Sequence, residues 1–297
     1  MSQPVLVRID PVTPLPPGTP APAGRLRLAD VTAPAVTVLD LGITRGDGVF
    51  ETVGVVGGRP QALQAHLRRL QRSATMLDLP ELDLGAVEDA VRLAIERHDP
   101  GPFLLVKVVL TRGIEGGDGT PTAWAHAFEG SGSLDGSGRG IKVVRLDRGY
   151  RSDVAQTSPW LLQGAKTVSY AVNMAALREA ARRGADDVIF VSSDGYVLEA
   201  PRSTVVLRRG EVFITPRTDI GILAGTTQDD LFSILTETGR TTEYRLVRQE
   251  ELDEADGLWL VSSGQQISPV VELDGRPLPR YPELDAELLE RLRARTA

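Results

Sequence analysis

Short apolar runs alternate along this chain with segments of helical periodicity, and this alternation limits the possible folds more than any other feature. Three of the runs are typical of strands: "VLVRID" (5–10), "FLLVKVVLTRG" (103–113) and "IKVVRLDRG" (141–149). Leucines and alanines at helical spacing predict a helix over residues 62–78, and "ELDAELLERLRAR" (283–295) predicts another near the C-terminus. Strands and helices interleaved in this way predict an α+β fold.

Turn-forming residues predict how some of these segments connect. Gly57-Gly58 predicts a hairpin within "VFETVGVVGGRPQAL" (49–63), and Ser193-Asp194-Gly195 predicts a second hairpin between "VIFV" and "YVLE". The run "AVTVLDLG" (35–42) is predicted to be a further strand. The proline-rich stretch 11–24 is predicted to be an extended surface loop, because proline cannot donate a hydrogen bond within a sheet.

Two domains of ordinary size fit within the 297 residues. A glycine-rich stretch, 129–140, separates two predicted strands, and a second irregular stretch follows the later strand. We therefore predict an N-terminal α+β domain over residues 1–157, a linker over 158–164 and a C-terminal domain over 165–297.

Composition limits the kinds of partner that the chain can have. The 33 lysines and arginines are outnumbered by 40 aspartates and glutamates, which gives a formal net charge of −7. We therefore expect a small-molecule ligand, and neither nucleic acid nor an anionic membrane surface as a partner. Cysteine is absent and the three histidines are scattered, so no metal site is expected. No stretch approaches the ~20 apolar residues of a membrane span, and we predict a cytoplasmic protein.

One lysine stands in an unusual setting. Lys166 lies in "QGAKTVSY" (163–170), and between Ala165 and Leu177 the only other ionisable side chain is that of Tyr170. Apolar surroundings disfavour the charged form of an amine, which frees it to act as a nucleophile toward an aldehyde. The alternative is a partly buried lysine whose ammonium group reaches water.

Five short motifs follow one another along most of the chain: "RGDGVFET" (45–52), "AHLRRL" (65–70), "AKTVSY" (165–170), "VLEAPRST" (197–204) and "ILAGTTQ" (222–228). Their order and spacing resemble those of the class IV, or fold-type IV, pyridoxal-phosphate enzymes, which include branched-chain and D-amino-acid aminotransferases and aminodeoxychorismate lyase. The resemblance implies a smaller N-terminal α+β domain, a larger C-terminal domain with a β-barrel-like core, and a site at the domain interface. It also implies pyridoxal 5'-phosphate as the cofactor, a small amino compound as the substrate and a homodimer.

The resemblance assigns roles to two ionisable residues. Lys166 would form a Schiff base with the cofactor aldehyde and, once displaced by the substrate amine, would move the α-proton as a base. Glu199 would face the pyridine nitrogen and keep it protonated, so that the ring can withdraw electrons. The alternative for Glu199 is a strand glutamate that points outward.

Thr226 and Thr227 stand at the proposed phosphate site. They open the helical pattern "DDLFSILTETG", whose first backbone N–H groups have no acceptors within the helix and could donate to a phosphate. The alternative is an ordinary helix start, since Thr227 and Asp230 match a capping box. The family usually has an isoleucine–threonine pair followed by arginine, whereas Thr226 and Gln228 flank Thr227 here.

The two N-terminal motifs are assigned different roles. In the family pattern the arginine immediately before the leucine binds the phosphate, which selects Arg69, and Arg68 is expected to be solvated. Arg45, Asp47 and Glu51 belong to the segment that lines the substrate side of the pocket and supports the dimer. We interpret these three as structural residues rather than catalytic ones.

Four further residues have more than one interpretation. Ser263 takes the position of a phosphate-binding hydroxyl, with the capping of a loop as its alternative. Tyr170 takes the position of a tyrosine beside the cofactor ring, with core packing as its alternative. Ser203 and Thr204 stand where the family more often has Ser-Asn, which leaves their roles open.

The strand at 103–113 bears on the reaction. It resembles the Lys-x-x-x-x-Arg-Gly pattern of the lyases, which makes Lys107 and Arg112 candidates for substrate binding. Arg112 could equally be a strand-end arginine without a ligand. The Arg-x-His segment that follows Arg-Gly in D-amino-acid aminotransferases is absent.

The predicted activity is therefore aminodeoxychorismate lyase, ahead of a D-amino-acid or branched-chain aminotransferase. Both activities in one protein remain an option, and a catalytically silent cofactor-binding protein is the remote alternative.

Overall fold

The computed structural model describes residues 3–130 and 140–295, which divide into two compact units. Of these residues, the first unit contains 3–130 and 165–170, and the second contains 140–164 and 171–295. The predicted glycine-rich separator lies mostly outside the described residues. No helix in the described ranges is long and apolar enough to cross a membrane.

The first unit is a sheet with helices packed on it. Its elements are β1 (Val5–Ile9), β2 (Leu26–Ala29), α1 (Leu41–Thr44), β3 (Gly48–Val56), β4 (Arg59–Pro60), α2 (Leu63–Met76), α3 (Leu84–Arg97), β5 (Phe103–Thr111) and β6 (Thr122–Glu129).

Six strands form the sheet of the first unit in the order β2-β1-β6-β5-β3-β4, and every neighbouring pair is antiparallel. The β3–β4 hairpin turns at Gly57 and Gly58, which both have positive φ, so the predicted hairpin is confirmed. Helices α2 and α3 pack on the sheet, and alternate strand residues such as Val53, Val106 and Ala125 are fully buried. The core of the unit therefore lies between the two helices and one face of the sheet.

The second unit combines a larger sheet with four helices. Its elements are β7 (Ile141–Asp147), α4 (Val154–Thr157), α5 (Ala171–Arg182), β8 (Asp187–Val191), β9 (Thr204–Arg209), β10 (Val212–Pro216), α6 (Thr226–Glu237), β11 (Thr241–Arg245), β12 (Gly257–Ser262), β13 (Gln266–Leu273), β14 (Arg276–Pro277) and α7 (Pro282–Ala294). Three short 3₁₀ helices lie between them, at Pro159–Leu161, Thr218–Ile220 and Gln249–Leu252.

The eight strands of this second sheet follow the path β11-β10-β9-β12-β13-β7-β8, with β14 paired to β13. The sheet is mixed, since β10 with β11, β13 with β7, and β7 with β8 are parallel pairs. The predicted turn at Ser193-Asp194-Gly195 is present, because Ser192 N donates to Tyr196 O and Leu198 N donates to Phe190 O. With two sheets and seven helices in the described residues, the predicted mixed α+β class is confirmed.

The predicted strand at residues 35–42 is wrong. Asp40 ends this run by capping α1: its Oδ1 accepts from Gly42 N at 2.8 Å, and its Oδ2 accepts from Thr111 Oγ1 at 3.0 Å. Val38 and Leu39 are 80% and 54% exposed. The apolar residues therefore lie on the surface, where no neighbouring strand pairs with them over the length of the run.

Two segments belong to units other than those that the predicted domain boundary implied. Strand β7 was placed in the N-terminal domain, but it forms parallel pairs with β8 and β13 of the second unit. Residues 165–170 were placed in the C-terminal domain, but Phe50 N donates to Lys166 O and Val168 N donates to Gly48 O of β3. Long-range backbone hydrogen bonds, which the local sequence does not reveal, decide both placements.

Candidate active site

Lys166 is fixed by its backbone beside β3. Its carbonyl accepts from Phe50 N at 2.9 Å, and its N–H donates to Ser73 Oγ, on α2, at 3.1 Å. Thr167 forms an isolated antiparallel bridge with Val49. The side chain is half-buried, and its Nζ lies 4.7 Å from the centroid of the Phe50 ring. The position of the amine is therefore set by β3, α2 and one aromatic ring.

Phe50 brings three of the predicted site residues together. The Tyr170 ring packs edge-on against the Phe50 ring, with the two centroids 5.5 Å apart. Phe50 and Lys107 lie on the same face of the sheet, and Lys107 Nζ is 5.9 Å from the centroid of the Phe50 ring. With Lys166, this places two amines and a phenol around one ring. The sequence analysis did not single out Phe50, although the residue lies within the "RGDGVFET" motif.

Glu51 holds the side chain of Arg69. Arg69 Nε donates to Glu51 Oε1 at 2.6 Å, and Arg69 Nη2 donates to Glu51 Oε2 at 2.7 Å. His66 Nδ1 lies 2.7 Å from the same Oε2. Glu51 is 1% exposed and Arg69 is 6% exposed, whereas Arg68 is exposed. Glu51 therefore orients the side chain of Arg69, and this is the structural role that we assign to it.

The charges of this buried trio follow from its contacts. Burial alone would raise the pKa of Glu51, but Arg69 and His66 beside it hold that pKa far below its ordinary value. Burial lowers the pKa of His66, and Arg69 and Lys166 act in the same direction against the opposing effect of Glu51. At neutral pH the trio therefore contains a carboxylate, a guanidinium and a neutral imidazole.

In the second unit, Glu199 follows the turn that ends β8. Its backbone carbonyl accepts from Phe190 N at 2.9 Å, and its side-chain Oε2 accepts from Leu223 N at 3.1 Å. The carboxylate is half-buried and lies near Tyr150, whose pKa is raised by burial with a smaller contribution from Glu199. A backbone N–H therefore fixes one carboxylate oxygen, which is unlike a glutamate that points freely into solvent.

The start of α6 differs from the capping box that was the alternative interpretation of Thr227. The N-cap residue is Gly225, which has no side chain to cap the helix, and Thr227 is the second residue of the helix rather than its cap. Thr227 Oγ1 instead lies 3.1 Å from Ser263 Oγ, just beyond the end of β12. A side chain at position 225 would clash with the Thr204 hydroxyl. Two of the predicted phosphate-binding hydroxyls are thus adjacent at a glycine-capped helix start, where Thr226 and Thr227 are both buried.

Ser203 and Arg112 have contacts of their own. Ser203 is buried, and its hydroxyl donates to Gln265 Oε1 at 3.0 Å. Arg112 forms an ion pair with Asp47, with Nε 2.6 Å from Oδ2, and Nη2 donates to the Leu77 carbonyl at 2.6 Å. These contacts favour the alternative in which Arg112 fastens the end of β5 to its own unit.

Comparisons with known proteins agree with the motifs. Residues 48–273 match the model of the family described as Amino-transferase class IV. A bifunctional aminodeoxychorismate lyase / D-amino acid transaminase of Mycobacterium tuberculosis is 45% identical over 266 residues, which cover 84% of this chain and 91% of the relative.

Solved structures extend the likeness to the whole fold. A fold IV-transaminase from Curtobacterium pusillum is 51% identical and superimposes with a TM-score of 0.93, covering 99% of this chain and 100% of the other. The PLP-bound form of a hypothetical aminotransferase from Mycobacterium tuberculosis is 40% identical, with a TM-score of 0.87 and coverage of 98% and 99%. The family and the cofactor predicted from the motifs are confirmed. This chain therefore belongs to the class IV aminotransferase family of pyridoxal-phosphate-dependent enzymes.

Proposed function

We propose that this enzyme is an aminodeoxychorismate lyase, which converts 4-amino-4-deoxychorismate to 4-aminobenzoate and pyruvate for folate biosynthesis. The observation that carries the proposal is the 45% identity, over most of both chains, to a relative named as a bifunctional aminodeoxychorismate lyase / D-amino acid transaminase. The same name favours D-amino-acid transamination as a second activity. A branched-chain aminotransferase is a weaker candidate, since a relative named as a putative one is 28% identical.

The side chains of the second unit fit pyridoxal 5'-phosphate. At the start of α6 the glycine cap, Thr226 and Thr227 would present N–H and hydroxyl groups to the phosphate, and Ser263 would add its hydroxyl. Glu199, with one oxygen fixed by a backbone N–H, would face the ring nitrogen. Ser203, through its bond to Gln265, would support this side of the site. The N–H and hydroxyl donors thus match a dianionic phosphate, and the Glu199 carboxylate is an acceptor that matches a protonated pyridine nitrogen.

The remaining roles are assigned to residues of the first unit. Arg69, oriented by Glu51, would bind the phosphate with its charge, and Tyr170 would stand beside the ring. When bound, the cofactor supplies an aldehyde for the substrate amine and a ring that withdraws electrons from the adjoining carbon. Lys166 Nζ would take up the proton that this carbon loses and hold it for later return.

The lyase and the transaminase reactions share this proton removal and differ in what leaves the substrate. In the lyase reaction the enolpyruvyl group departs and the ring becomes aromatic, whereas in transamination the proton returns at another carbon. Lys107, beside Phe50 and near Lys166, remains our candidate for substrate binding. Arg112 is a weaker candidate because Asp47 and two backbone carbonyls already engage its guanidinium.

We also propose that the enzyme is a homodimer. Apolar side chains are exposed together around α1, where Leu41 N donates to Gly113 O and Glu115 N donates to Leu39 O. The exposed residues of this patch are Val38, Leu39, Ile43 and Ile114. A second copy would remove them from water. Light scattering on the purified protein would test this, and a monomer at micromolar concentration would contradict it.

One assay tests the proposed function. Holoenzyme is supplied with aminodeoxychorismate, and pyruvate and 4-aminobenzoate are measured; the same preparation is then given D-alanine and branched-chain amino acids with an oxo-acid acceptor. We expect both lyase products in equal amounts. Transamination without 4-aminobenzoate formation would overturn the lyase assignment and leave the aminotransferase alternative.

A further inference from the structure

On one face of the six-stranded sheet, every charged residue of the described strands is basic. Paired residues of an antiparallel sheet point to the same face, so the registers place Phe50, Val109, Trp124 and Arg8 in one row across it. The adjacent row runs through Lys107 and His126. In the described strands of this sheet, the charged residues of that face are Arg8, Arg27, Arg59 and Lys107, and the acidic Glu51 and Glu129 lie on the opposite face.

Three of these cations form no ion pair with a carboxylate. Arg27 pairs with Asp10 at 3.6 Å, but within residues 3–130 and 140–295 none of Arg8, Arg59 and Lys107 forms an ion pair. The sequence as a whole has a net negative charge, and many arginines of the described residues form ion pairs with carboxylates. Arg8 is half-buried and Lys107 is exposed, and a cation without a carboxylate partner is available to an anionic ligand.

A cavity of about 210 Å³ adjoins Arg8 on this face. Trp124 and His126 line it together with Arg8, and Leu6, Val31 and Val36 form its apolar walls. Burial lowers the pKa of His126, and Lys107 and His98 add to this effect, so the imidazole is neutral and retains one N–H to donate. The lining thus offers a guanidinium, an N–H donor and a flat indole.

We propose that this cavity binds a substrate carboxylate that is remote from the reacting amino group. Arg8 pairs with that carboxylate, His126 donates a hydrogen bond to it, and Trp124 packs against the carbon skeleton. The row of paired residues links the cavity to Phe50, whose ring lies beside Lys166 Nζ. Arg8 and Phe50 are three strand spacings apart, or about 14 Å between backbones. Lys107, the substrate-binding candidate beside Phe50, would pair with a second carboxylate nearer the reacting amino group. The ligand class is therefore a dicarboxylate with several bonds between its acid groups.

This inference deepens the proposed function, because aminodeoxychorismate itself carries two carboxylates. It predicts that such a substrate is selected over a monocarboxylate of similar size. A site that pairs a carboxylate with an arginine rejects an analogue lacking that carboxylate, since the cation would then be desolvated without a partner.

The test compares two inhibitors of equal chain length, pimelate and heptanoate, which differ by one carboxylate. Inhibition constants are measured on the holoenzyme and on Arg8→Gln. Loss of a charge-assisted contact should raise the pimelate constant roughly tenfold or more, and the heptanoate constant should rise less, because its single carboxylate can pair with Lys107 instead of Arg8. Arg8→Lys should retain part of the preference for pimelate, because it keeps the charge.

Arg27→Gln is the matched control, since Arg27 is the cross-strand partner of Arg8 and its loss changes the charge equally. We expect it to alter neither constant, and thermal unfolding of all variants verifies that they are folded. Equal changes for both inhibitors in Arg8→Gln would overturn the proposal, as would a wild-type enzyme that binds pimelate no more tightly than heptanoate. Either enzyme activity can report the inhibition, so failure of the lyase assignment would show separately in the product assay.

Discussion

Replacement of Arg69 should have two separable effects, the first on stability. Arg69 is the bidentate partner of Glu51, and both side chains are almost completely buried. Arg69→Ala leaves the carboxylate without its main counter-charge, and breaking a buried pair in this way costs about 3–5 kcal/mol of unfolding free energy. Glu51→Gln removes the carboxylate charge that Arg69→Ala leaves unpaired. The double variant Glu51→Gln/Arg69→Ala should therefore recover a large part of the lost unfolding free energy. Urea unfolding of the cofactor-free proteins measures both values.

The second effect is on cofactor affinity, which the double variant should not recover. A charge-assisted hydrogen bond to the phosphate contributes about 1.5–3 kcal/mol, which corresponds to roughly a tenfold to hundredfold change in the dissociation constant. Arg69→Ala and the double variant should both show this loss when pyridoxal phosphate is titrated and absorbance is followed. Arg68→Ala, on the exposed position one residue earlier, should change neither the stability nor the affinity.

Two results would contradict these roles of Arg69. If the double variant binds the cofactor as tightly as the wild type, Arg69 serves only to neutralise Glu51 and is not a phosphate ligand. If Arg69→Ala unfolds with the wild-type free energy, Glu51 does not depend on Arg69 as its buried counter-charge.

Three further outcomes follow from the site. Lys166→Ala should abolish turnover while the urea midpoint stays unchanged, and a tenth of the wild-type rate without added amine would contradict the role of Lys166. Glu199→Gln should slow turnover roughly tenfold or more, by about 1.4 kcal/mol or above, with a smaller effect on cofactor affinity; equal activity across the pH range would exclude the ring-nitrogen role. The folded-state pKa values of His66 and Glu51 are both lowered, so the unfolded chain binds more protons in acid. The unfolding free energy should therefore fall as the pH drops below the ordinary values of 6.5 for His66 and 4.5 for Glu51, and His66→Gln should flatten the first decline.

The sequence predicted those parts of the fold that depend on neighbouring residues. Helix α2, expected over 62–78, extends from Leu63 to Met76, and the Gly57-Gly58 hairpin is present, because periodicity and turn geometry are local properties. The prediction of a strand over 35–42 was wrong because a local apolar pattern does not show whether a partner strand covers it. Asp40 decided the outcome by capping a helix.

Contacts between side chains that are distant in sequence could not be predicted from the sequence. Glu51 and Arg69 are 18 residues apart, and nothing in their motifs shows that the two side chains meet. The grouping of Lys166, Lys107 and Tyr170 around Phe50 depends on hydrogen bonds between residues 165–170 and β3. The adjacency of Thr227 and Ser263 likewise depends on the packing of α6 near the end of β12. Individual candidates could be named from motifs, but their contacts required the fold.

Lys166 is proposed to carry the cofactor, and this role can be tested directly because the only lysines of the chain are Lys107, Lys142 and Lys166. Borohydride reduction of the holoenzyme fixes the cofactor to the amine that holds it, and digestion followed by mass spectrometry locates the modified peptide. We predict one modified site, at Lys166, with the peptides of Lys107 and Lys142 unmodified. Modification at Lys107 or Lys142 with Lys166 unchanged would contradict the claim.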